Sequence, residues 1–447
     1  MSQPLSEPAS RRAIYDVEQV PPLGQWVPLS LQHVFAMFGA TVLVPILTGL
    51  NPSLALLTSG LGTLLFQVIT RGQVPTYLGS SFAYIAPIVA VRTTLGEDAW
   101  LGAALGGTVA VGLVYAVVAL IIARAGTAWL DRVIPPVVIG SVIVVIGLGL
   151  APVGIQMAGL CTGPACGGKE VVSLFQPDVL VALATAAVTI AVSVYLRGFF
   201  AVVPVLIGIA CGYVLAALLG LVDYTALSAA AWVGLPWSAG GYAVPVLNWT
   251  AIGLIVPAAI VTIAEHLGDV FVLSNVVGRK FYREPGLART LLGDGLATSL
   301  AGLLGGPPNT TYGENVGVLA ITRVYSTRVV GLAAAFAVLF SFVPKLGALL
   351  QTIPAPVMGG ITLVLFGTIA ASGIRTLVES GIDFGDKRNL IIASVVLVLG
   401  IGGAQLEIGV VNLQGMALAA IAGVLLNLVM PDRSGNGRRR PGDGAEA

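Results

Sequence analysis

Two short polar segments interrupt the apolar sequence about half a chain apart, PTYLGSSF at residues 75–82 and NTTYGEN at residues 309–315. Inside a bilayer, backbone groups freed by such breaks are tolerated only where protein or a water-filled cavity surrounds them. Broken helices at corresponding places in two halves of a chain point to a binding site near the bilayer midplane. We therefore predict that a substrate site lies between these two segments.

The composition is that of a polytopic membrane protein. Hydrophobic residues make up 56% of the chain and charged residues 10%, with a mean hydropathy of +0.95. A soluble domain has about 25% charged residues, and a net charge of +1 offers no basic surface for nucleic acid. We predict fourteen membrane-spanning stretches, at residues 29–50, 54–70, 74–91, 99–123, 134–153, 179–197, 199–220, 250–277, 288–305, 309–323, 327–344, 354–373, 388–405 and 411–430.

Charge placement predicts the topology. Of the 22 Lys and Arg residues, 19 fall on one side of the predicted membrane, and only Arg92, Lys169 and Lys345 fall on the other. Because short cytoplasmic loops are enriched in Lys and Arg, this split predicts an even number of crossings with both termini in the cytoplasm. The first 25 residues lack the features of a signal peptide, and the short termini favour a bacterial plasma membrane.

The two halves of the sequence repeat one another. Gln32-His33 recurs as Glu265-His266, and a Thr-Tyr pair follows 44 residues after Gln32 and 46 residues after Glu265. A second run of Pro and Gly residues, which begins near residue 136, recurs 220 positions later. Seven crossings per half is an odd number, so the second half would enter the membrane from the opposite side. We therefore predict an inverted repeat of seven plus seven spans.

Four acidic residues fall inside predicted spans: Glu265, Asp269, Asp294 and Glu314. An acid at the bilayer centre costs about 2.5 to 3.5 kcal/mol on insertion scales, so such residues usually face a cavity or a partner. Glu265 and Asp269 are four residues apart and share one helix face. Glu265 would bind substrate and exchange a proton, or join a network with a histidine. Glu314 would accept hydrogen bonds from substrate N–H groups, or only offset a helix dipole, and Asp294 is expected to link helices.

The only two histidines, His33 and His266, each follow the equivalent residue of their repeat. They would serve either in helix packing or in a proton relay. Phe82 follows the first break, where it would stack on a flat ring or simply pack against other side chains. The backbone N–H groups of Phe82 and Gly313 could donate to ring carbonyls.

Cysteine usage leaves one question open. Cys161 and Cys166 lie in a predicted outer loop, where an oxidising compartment would permit a disulfide that the spacing alone does not establish. No histidine accompanies them, so a metal site is less expected. The sequence has no nucleophile elbow and no phosphate-binding loop, and we expect neither an enzyme nor a cofactor.

The most specific motif begins at the second break. It reads ENVGVLAITR at residues 314–323, which matches a signature of an acid or amide, Asn, one residue, Gly, four residues, Thr and a basic residue. Further matches are the pair Gln32-His33, residues 75–83 and residues 264–268. From residue 25 to residue 430 the chain resembles the nucleobase/ascorbate transporter family of nucleobase:cation symporters, and most of all its bacterial uracil permeases.

The resemblance implies an all-α membrane protein with a core domain and a gate domain. The core would comprise spans 1–4 and 8–11, at residues 26–123 and 250–345, and the gate spans 5–7 and 12–14, at residues 124–249 and 346–430. Cytoplasmic tails would occupy residues 1–25 and 431–447, the second of them disordered. Short midplane strands are expected in spans 3 and 10, and a homodimer would form through the gate domains.

Roles at the site follow from the same resemblance. It implies that Glu265 and Glu314 hold the base through their side chains, and that Phe82 and Gly313 hold it through backbone amides, with Tyr312 beside them. The candidates for proton coupling are Glu265, Asp269, His33 and His266. The residues expected to form a supporting network are Gln32, Asn315, Asp294, Thr322 and Arg323.

One position departs from the uracil permease pattern. Those permeases usually carry a histidine four residues after the first glutamate, where this chain has Asp269, as in the xanthine and urate branch. That branch usually carries Gln at the position of Glu314. The sequence therefore predicts proton-coupled import of uracil, with xanthine or urate as the alternative. A passive channel and an anion exchanger of related architecture are the rival functions.

Overall fold

The helices follow the predicted apolar stretches. The computed structural model describes residues 13–163, 172–408 and 411–431. Its helices are α1 (Leu23–Thr48), α2 (Pro52–Ile69), α3 (Ile85–Leu95), α4 (Trp100–Ala125), α5 (Ala128–Val133), α6 (Pro136–Met157), α7 (Pro177–Tyr195), α8 (Pro204–Leu218), α9 (Thr225–Ala229), α10 (Trp249–Ile255), α11 (Ala259–Val277), α12 (Leu287–Leu304), α13 (Gly313–Thr322), α14 (Thr327–Ser341), α15 (Pro344–Gln351), α16 (Ala355–Glu379), α17 (Lys387–Ile401) and α18 (Gly415–Val429). Its strands are β1 (Leu78–Ser80), β2 (Asn309–Thr311), β3 (Gln405–Ile408) and β4 (Val411–Gln414).

Several predicted spans are broken, which lowers the number of long helices. In the described part of the chain, seven helices are long and apolar enough to cross a membrane, or eight if α14 and α15, bent by 83°, form one span. Three shorter apolar helices accompany them. The predictions of a mostly helical, multi-pass membrane protein are confirmed, and the number of fourteen crossings stays a prediction. Cys166 and residues 432–447 lie outside the described residues, as do residues 1–12.

The two broken segments pair with each other. β1 and β2 run antiparallel, with Leu78 opposite Thr311 and Ser80 opposite Asn309. One further backbone hydrogen bond of 3.0 Å extends the pairing on each side. The polar segments at residues 75–82 and 309–315 therefore form one short sheet inside the molecule.

Hydroxyl groups from neighbouring helices complete the hydrogen bonding of this sheet. The Leu78 N–H donates to the Thr63 hydroxyl at 3.0 Å, and the Ser59 hydroxyl donates to the Leu78 carbonyl at 2.8 Å. On the other strand, the Thr298 hydroxyl donates to the Asn309 carbonyl at 3.1 Å. These hydroxyls lie on α2 and α12, so side chains of the neighbouring helices supply hydrogen bonds at the outer edges of the sheet.

Packing divides the long helices into two groups. The first contains α1, α2, α4, α11, α12 and α14 together with the short helices α3 and α13, and the second contains α6, α7, α8, α16, α17 and α18. Glycines bring one helix pair of each group into close contact, as small residues do in membrane proteins. A Cβ at Gly112 of α4 would lie 2.2 Å from the Gly295 carbonyl of α12, and a Cβ at Gly147 of α6 would lie 2.4 Å from the Phe366 carbonyl of α16.

The order of elements is the same in both halves of the first group. The series α1, α2, β1, α3 and α4 recurs as α11, α12, β2, α13 and α14. Each series places two long helices before a strand and a short helix after it. The repeat that the sequence predicts is therefore present in the order of the elements.

Residues 13–22, here called the N-terminal strap, dock on the molecule, although the sequence predicts a tail there. Tyr15 forms a parallel β-bridge with Val324, and its carbonyl accepts the Tyr325 N–H at 2.8 Å. The Val17 carbonyl accepts the Thr327 N–H at 3.0 Å, and the Val17 side chain is 0% exposed. The strap is thus fixed to the loop between α13 and α14.

Ion pairs also hold the strap to the segment that follows α11. Arg279, which lies just beyond α11, contacts Asp16 at 2.9 Å and Glu18 at 2.8 Å. Its hydrogen bond lowers the pKa of the Glu18 carboxyl below the usual value. A pKa that is lowered in the docked state stabilises docking at pH values above the ordinary carboxyl pKa. That contribution is lost as the pH falls through the lowered pKa.

Val17→Asp is expected to release the strap, because it would bury a carboxylate among apolar side chains. Hydrogen exchange in lipid nanodiscs should then be at least about tenfold faster at the amides of Tyr325 and Thr327, which corresponds to about 1.4 kcal/mol. Val20→Asp is the matched control, since Val20 is 53% exposed. Equal protection in the two variants would contradict the docked arrangement.

Candidate functional site

A cavity of about 750 Å³ reaches both broken segments. One wall comes from α11, from β2 with the start of α13, and from the residues that follow β1, and the other comes from α6 and α16. The cavity therefore lies between the two helix groups. The predicted substrate-binding residues that line it are Phe82, Glu265, Tyr312, Gly313 and Glu314.

Besides Glu379 at the end of α16, three acidic side chains line the cavity. Glu265 and Asp269 lie one turn apart on α11, and Glu314 lies in the first turn of α13. An Asp269 carboxylate oxygen, Oδ2, accepts a hydrogen bond of 3.0 Å from the Thr311 hydroxyl. Within the residues that the structure describes, none of the three carboxyl groups forms an ion pair with Lys, Arg or His. The site thus presents hydrogen-bond acceptors to a ligand.

Two helical segments begin at the cavity wall. Phe82 is the first residue of a short 3₁₀ turn that leads into α3, and Gly313 is the first residue of α13. The first N–H groups of a helix have no acceptor within that helix, and they carry a partial positive charge. The backbone at Phe82 and Gly313 is therefore suited to bind carbonyl or other electronegative atoms of a ligand.

Tyr312 is locked into the wall by its hydroxyl group. That hydroxyl donates to the Ser80 carbonyl at 2.9 Å and lies 3.0 Å from the Thr41 hydroxyl. Its ring packs on the backbone of Gly79, where a Cβ would lie 2.5 Å from a ring carbon. Glycine is required at position 79 because any larger residue would push Tyr312 away from β1.

Both histidines lie in contacts between helices rather than in the cavity lining. His266 Nδ1 is 3.0 Å from an Asp294 oxygen, and Nε2 is 3.0 Å from the Thr290 hydroxyl. His33 Nδ1 is 3.0 Å from the side-chain amide nitrogen of Asn315. These contacts link α11 to α12 and α1 to α13. The placement favours the helix-packing alternative over a direct proton relay.

The rest of the predicted network surrounds α13 and α1. The Thr322 hydroxyl donates to the Val318 carbonyl at 2.8 Å. Arg323 ends α13 in the left-handed conformation with φ of 55°, and its carbonyl accepts the Ile14 N–H of the strap at 2.9 Å. Gln32 lies on α1, and its buried Oε1 has no hydrogen-bond partner among the described residues.

Residue-by-residue reasoning missed several lining residues. Thr310 and Thr311 lie inside the second break and line the cavity, but sequence reasoning does not name them as site residues. Their hydroxyl side chains in a polar break could have indicated a role at the site. Arg375 and Glu379 line the mouth of the cavity from the end of α16 and form an ion pair of 2.6 Å. From the sequence, Arg375 serves only as a topology marker.

Phe82 lies where three cavities meet. A second cavity of about 220 Å³ shares Phe82, Ala83 and Ile146 with the large one. A third, of about 230 Å³, shares Phe82 and Glu314 with it.

In residues 13–163, 172–408 and 411–431, no group of three His, Cys, Asp or Glu side chains could hold a metal ion.

Gly79→Ala is expected to destabilise the site, because the new methyl group would overlap the fixed ring of Tyr312. Overpacking of this kind costs about 1 to 3 kcal/mol. The measurement is the thermal unfolding midpoint in detergent, which should fall. Gly367→Ala is the control, since nothing lies within 4 Å of a Cβ there. Equal midpoints for the two variants would contradict the contact.

Comparisons with known proteins identify the family and support the fold. Residues 24–409 match the model of the Permease family, Xan_ur_permease. The chain is 55% identical over 425 residues to a uracil permease of Bacillus caldolyticus, covering 94% of this chain and 96% of that protein. It is 49% identical over 423 residues to a uracil permease of Bacillus subtilis strain 168, covering 93% and 94%.

A solved structure shares the fold. The transmembrane domain of the cyanobacterium bicarbonate transporter BicA superposes with a TM-score of 0.60 at 16% identity, covering 93% of this chain and 99% of that one. The family resemblance predicted from residues 314–323 is confirmed by the family match and by both relatives. The chain therefore belongs to the Permease family, as a multi-pass membrane protein.

Proposed function

We propose that the protein imports uracil together with a proton. Relatives named uracil permease match nearly the whole chain at 55% and 49% identity. One observation carries the proposal: two carboxyl groups, Glu265 and Glu314, share a cavity with the helix-initiating backbone of Phe82 and Gly313. Two acceptors and two donors thus face one space.

Uracil complements this arrangement. It is planar and carries two N–H donors and two carbonyl acceptors. The carboxylates of Glu265 and Glu314 would accept the N–H groups, and the amides of Phe82 and Gly313 would donate to the carbonyls. The ring of Phe82 packs against three apolar clusters, so it would offer a fixed flat surface to the base.

Transport would proceed by movement of the core against the gate. The two helix groups correspond to the proposed core, at residues 26–123 and 250–345, and to the proposed gate, at residues 124–249 and 346–430. The large cavity between them opens at Arg375 and Glu379, which the proposed topology of fourteen inverted-repeat spans places on the cytoplasmic side. On that topology, the described conformation is open to the cytoplasm, and a rocking of the core would open the cavity of about 220 Å³ instead.

A proton supplies the driving force in this proposal. One charge moving through about 100 mV yields about 2.3 kcal/mol, enough for roughly 50-fold accumulation. Neutralising Glu265, or the Glu265/Asp269 pair, would lower the cost of moving a loaded, dehydrated core. We also expect a homodimer through the gate domains in the bacterial plasma membrane, with both termini in the cytoplasm.

A purine substrate such as xanthine or urate is the second candidate. Asp269 lines the same cavity as Glu265 and Glu314, so a larger base with another N–H donor would find a third acceptor. The same three acids disfavour an anion exchanger, because an anionic substrate would be repelled. A passive channel would require large fluxes that do not saturate.

The direct test is uptake of radiolabelled uracil into proteoliposomes, with and without an inward proton gradient. The wild type should accumulate uracil only with the gradient, and excess unlabelled xanthine should not compete. Glu265→Gln should retain some uracil binding but lose accumulation, because a neutral amide cannot carry the proton. Glu97→Gln is the control, since Glu97 pairs with Arg92 on the exposed surface.

Each result has a separate meaning. Inhibition by xanthine would move the assignment to the purine branch. Equilibration without any gradient dependence would remove the coupling claim. Uphill uptake by Glu265→Gln would take Glu265 out of the coupling role.

A further inference from the structure

The three cavity acids differ in one respect. Asp269 Oδ2 accepts the hydrogen bond from the Thr311 hydroxyl at 3.0 Å. In the part of the chain that the structure describes, no side chain donates a hydrogen bond to Glu265 or Glu314. The carboxyl groups one turn apart on α11 are therefore not equivalent.

The donor is held rigidly. Thr311 is the last residue of β2, its backbone is paired with Leu78, and it is only 3% exposed. The next residue, Tyr312, is anchored through its hydroxyl to Ser80. The backbone that carries the Thr311 hydroxyl is therefore fixed by the strand pairing and by the anchored Tyr312.

Charged and titratable groups approach Asp269 from every neighbouring element. Glu265 lies on the same helix, Glu314 on α13 and Arg375 and Glu379 on α16, all in the same cavity lining. Arg375 is engaged by Glu379 at 2.6 Å. Asp294, on α12, lies behind the wall beside His266. Like charges that line one cavity disfavour a fully ionised cluster.

We propose that Thr311 is a positioning residue that holds Asp269 as the carboxylate, so that the transported proton resides on Glu265. A hydroxyl that donates to a carboxylate stabilises its charged form. When two neighbouring carboxyl groups share one proton, the proton binds the group whose charged form receives no hydrogen bond. The role in coupling rests on the proposed function, whereas the difference between the two carboxyl groups rests on geometry alone.

The test reads the carboxyl groups directly. Infrared spectra of the purified protein in lipid are recorded against pH, and the band of each protonated carboxyl is assigned by its loss in Asp269→Asn and Glu265→Gln. At neutral pH the wild type should show a protonated band that is lost in Glu265→Gln. In Asp269→Asn this band should titrate at lower pH, because the neighbouring negative charge is gone. A protonated band that persists in Glu265→Gln and is lost in Asp269→Asn would overturn the proposal.

Thr311→Val removes the donor and keeps the β-branched shape that suits a strand. The pH at which Asp269 takes up a proton should rise by about one unit, because loss of a hydrogen bond to the charged form shifts the titration midpoint by about one unit. Thr311→Ser keeps the hydroxyl and should stay within about 0.3 unit of the wild type, which a purely structural role would not predict. Thr311→Ala removes the same donor and replaces Thr311→Val if that variant does not fold.

The outcomes separate this inference from the proposed function. An unchanged Asp269 midpoint in a folded variant without the hydroxyl would overturn the role of Thr311, even if uracil is transported. A shifted midpoint together with absent uracil uptake by the wild type would support the positioning role and refute the substrate. In uptake assays, Thr311→Val should move the pH dependence upward in the wild-type background and have no such effect in the Asp269→Asn background.

Discussion

Backbone groups inside a membrane protein must find partners within the protein, and this constraint governs the whole fold. Each of the two broken segments frees N–H and C=O groups that would cost several kcal/mol if left bare in hydrocarbon. Here the segments satisfy each other across β1 and β2. Hydroxyls such as those of Ser59 and Thr298 satisfy the outer edges. The break in each half of the chain therefore depends on pairing with the break in the other half.

The docking of the breaks also creates the chemistry of the site. It brings the starts of two helical segments, at Phe82 and Gly313, to one cavity, and the first N–H groups of such segments have no acceptor within their own helix. Glu265, Asp269 and Glu314 line the same cavity as these helix starts, and Glu314 lies in the first turn of α13. Three carboxyl groups without a cation partner would be costly in an empty, dehydrated cavity, and for this reason we propose that the site holds a polar, planar molecule and a proton.

The far ends of the acid-bearing helices are braced together. α13 starts near Glu314 and ends at Arg323, whose carbonyl binds the strap. α11 carries Glu265 and is followed by Arg279, which binds the same strap through Asp16 and Glu18. The strap thus ties together the far ends of the two helices that carry Glu265 and Glu314. The hydrogen bond from Thr311 of β2 to Asp269 joins α11 to the segment that leads into α13.

Much of this arrangement could be predicted from the sequence, because it rests on local signals. The breaks, the acids one turn apart and the motif that starts at Glu314 are all visible in short stretches. The strap was not predicted, because its docking depends on pairing with residues about 300 positions away and on two buried residues, Val17 and Pro21, in a polar segment. The donor to Asp269 was also missed, since only the register of β2 places the Thr311 hydroxyl beside α11.

The most direct test of the central claim is a structure of the protein with uracil bound in a lipid environment. We expect density for the base in the large cavity, within about 3.2 Å of the carboxyl groups of Glu265 and Glu314 and of the backbone nitrogens of Phe82 and Gly313. Density confined to the smaller cavity near Gln405 and Gln414, or no contact with either glutamate, would contradict it.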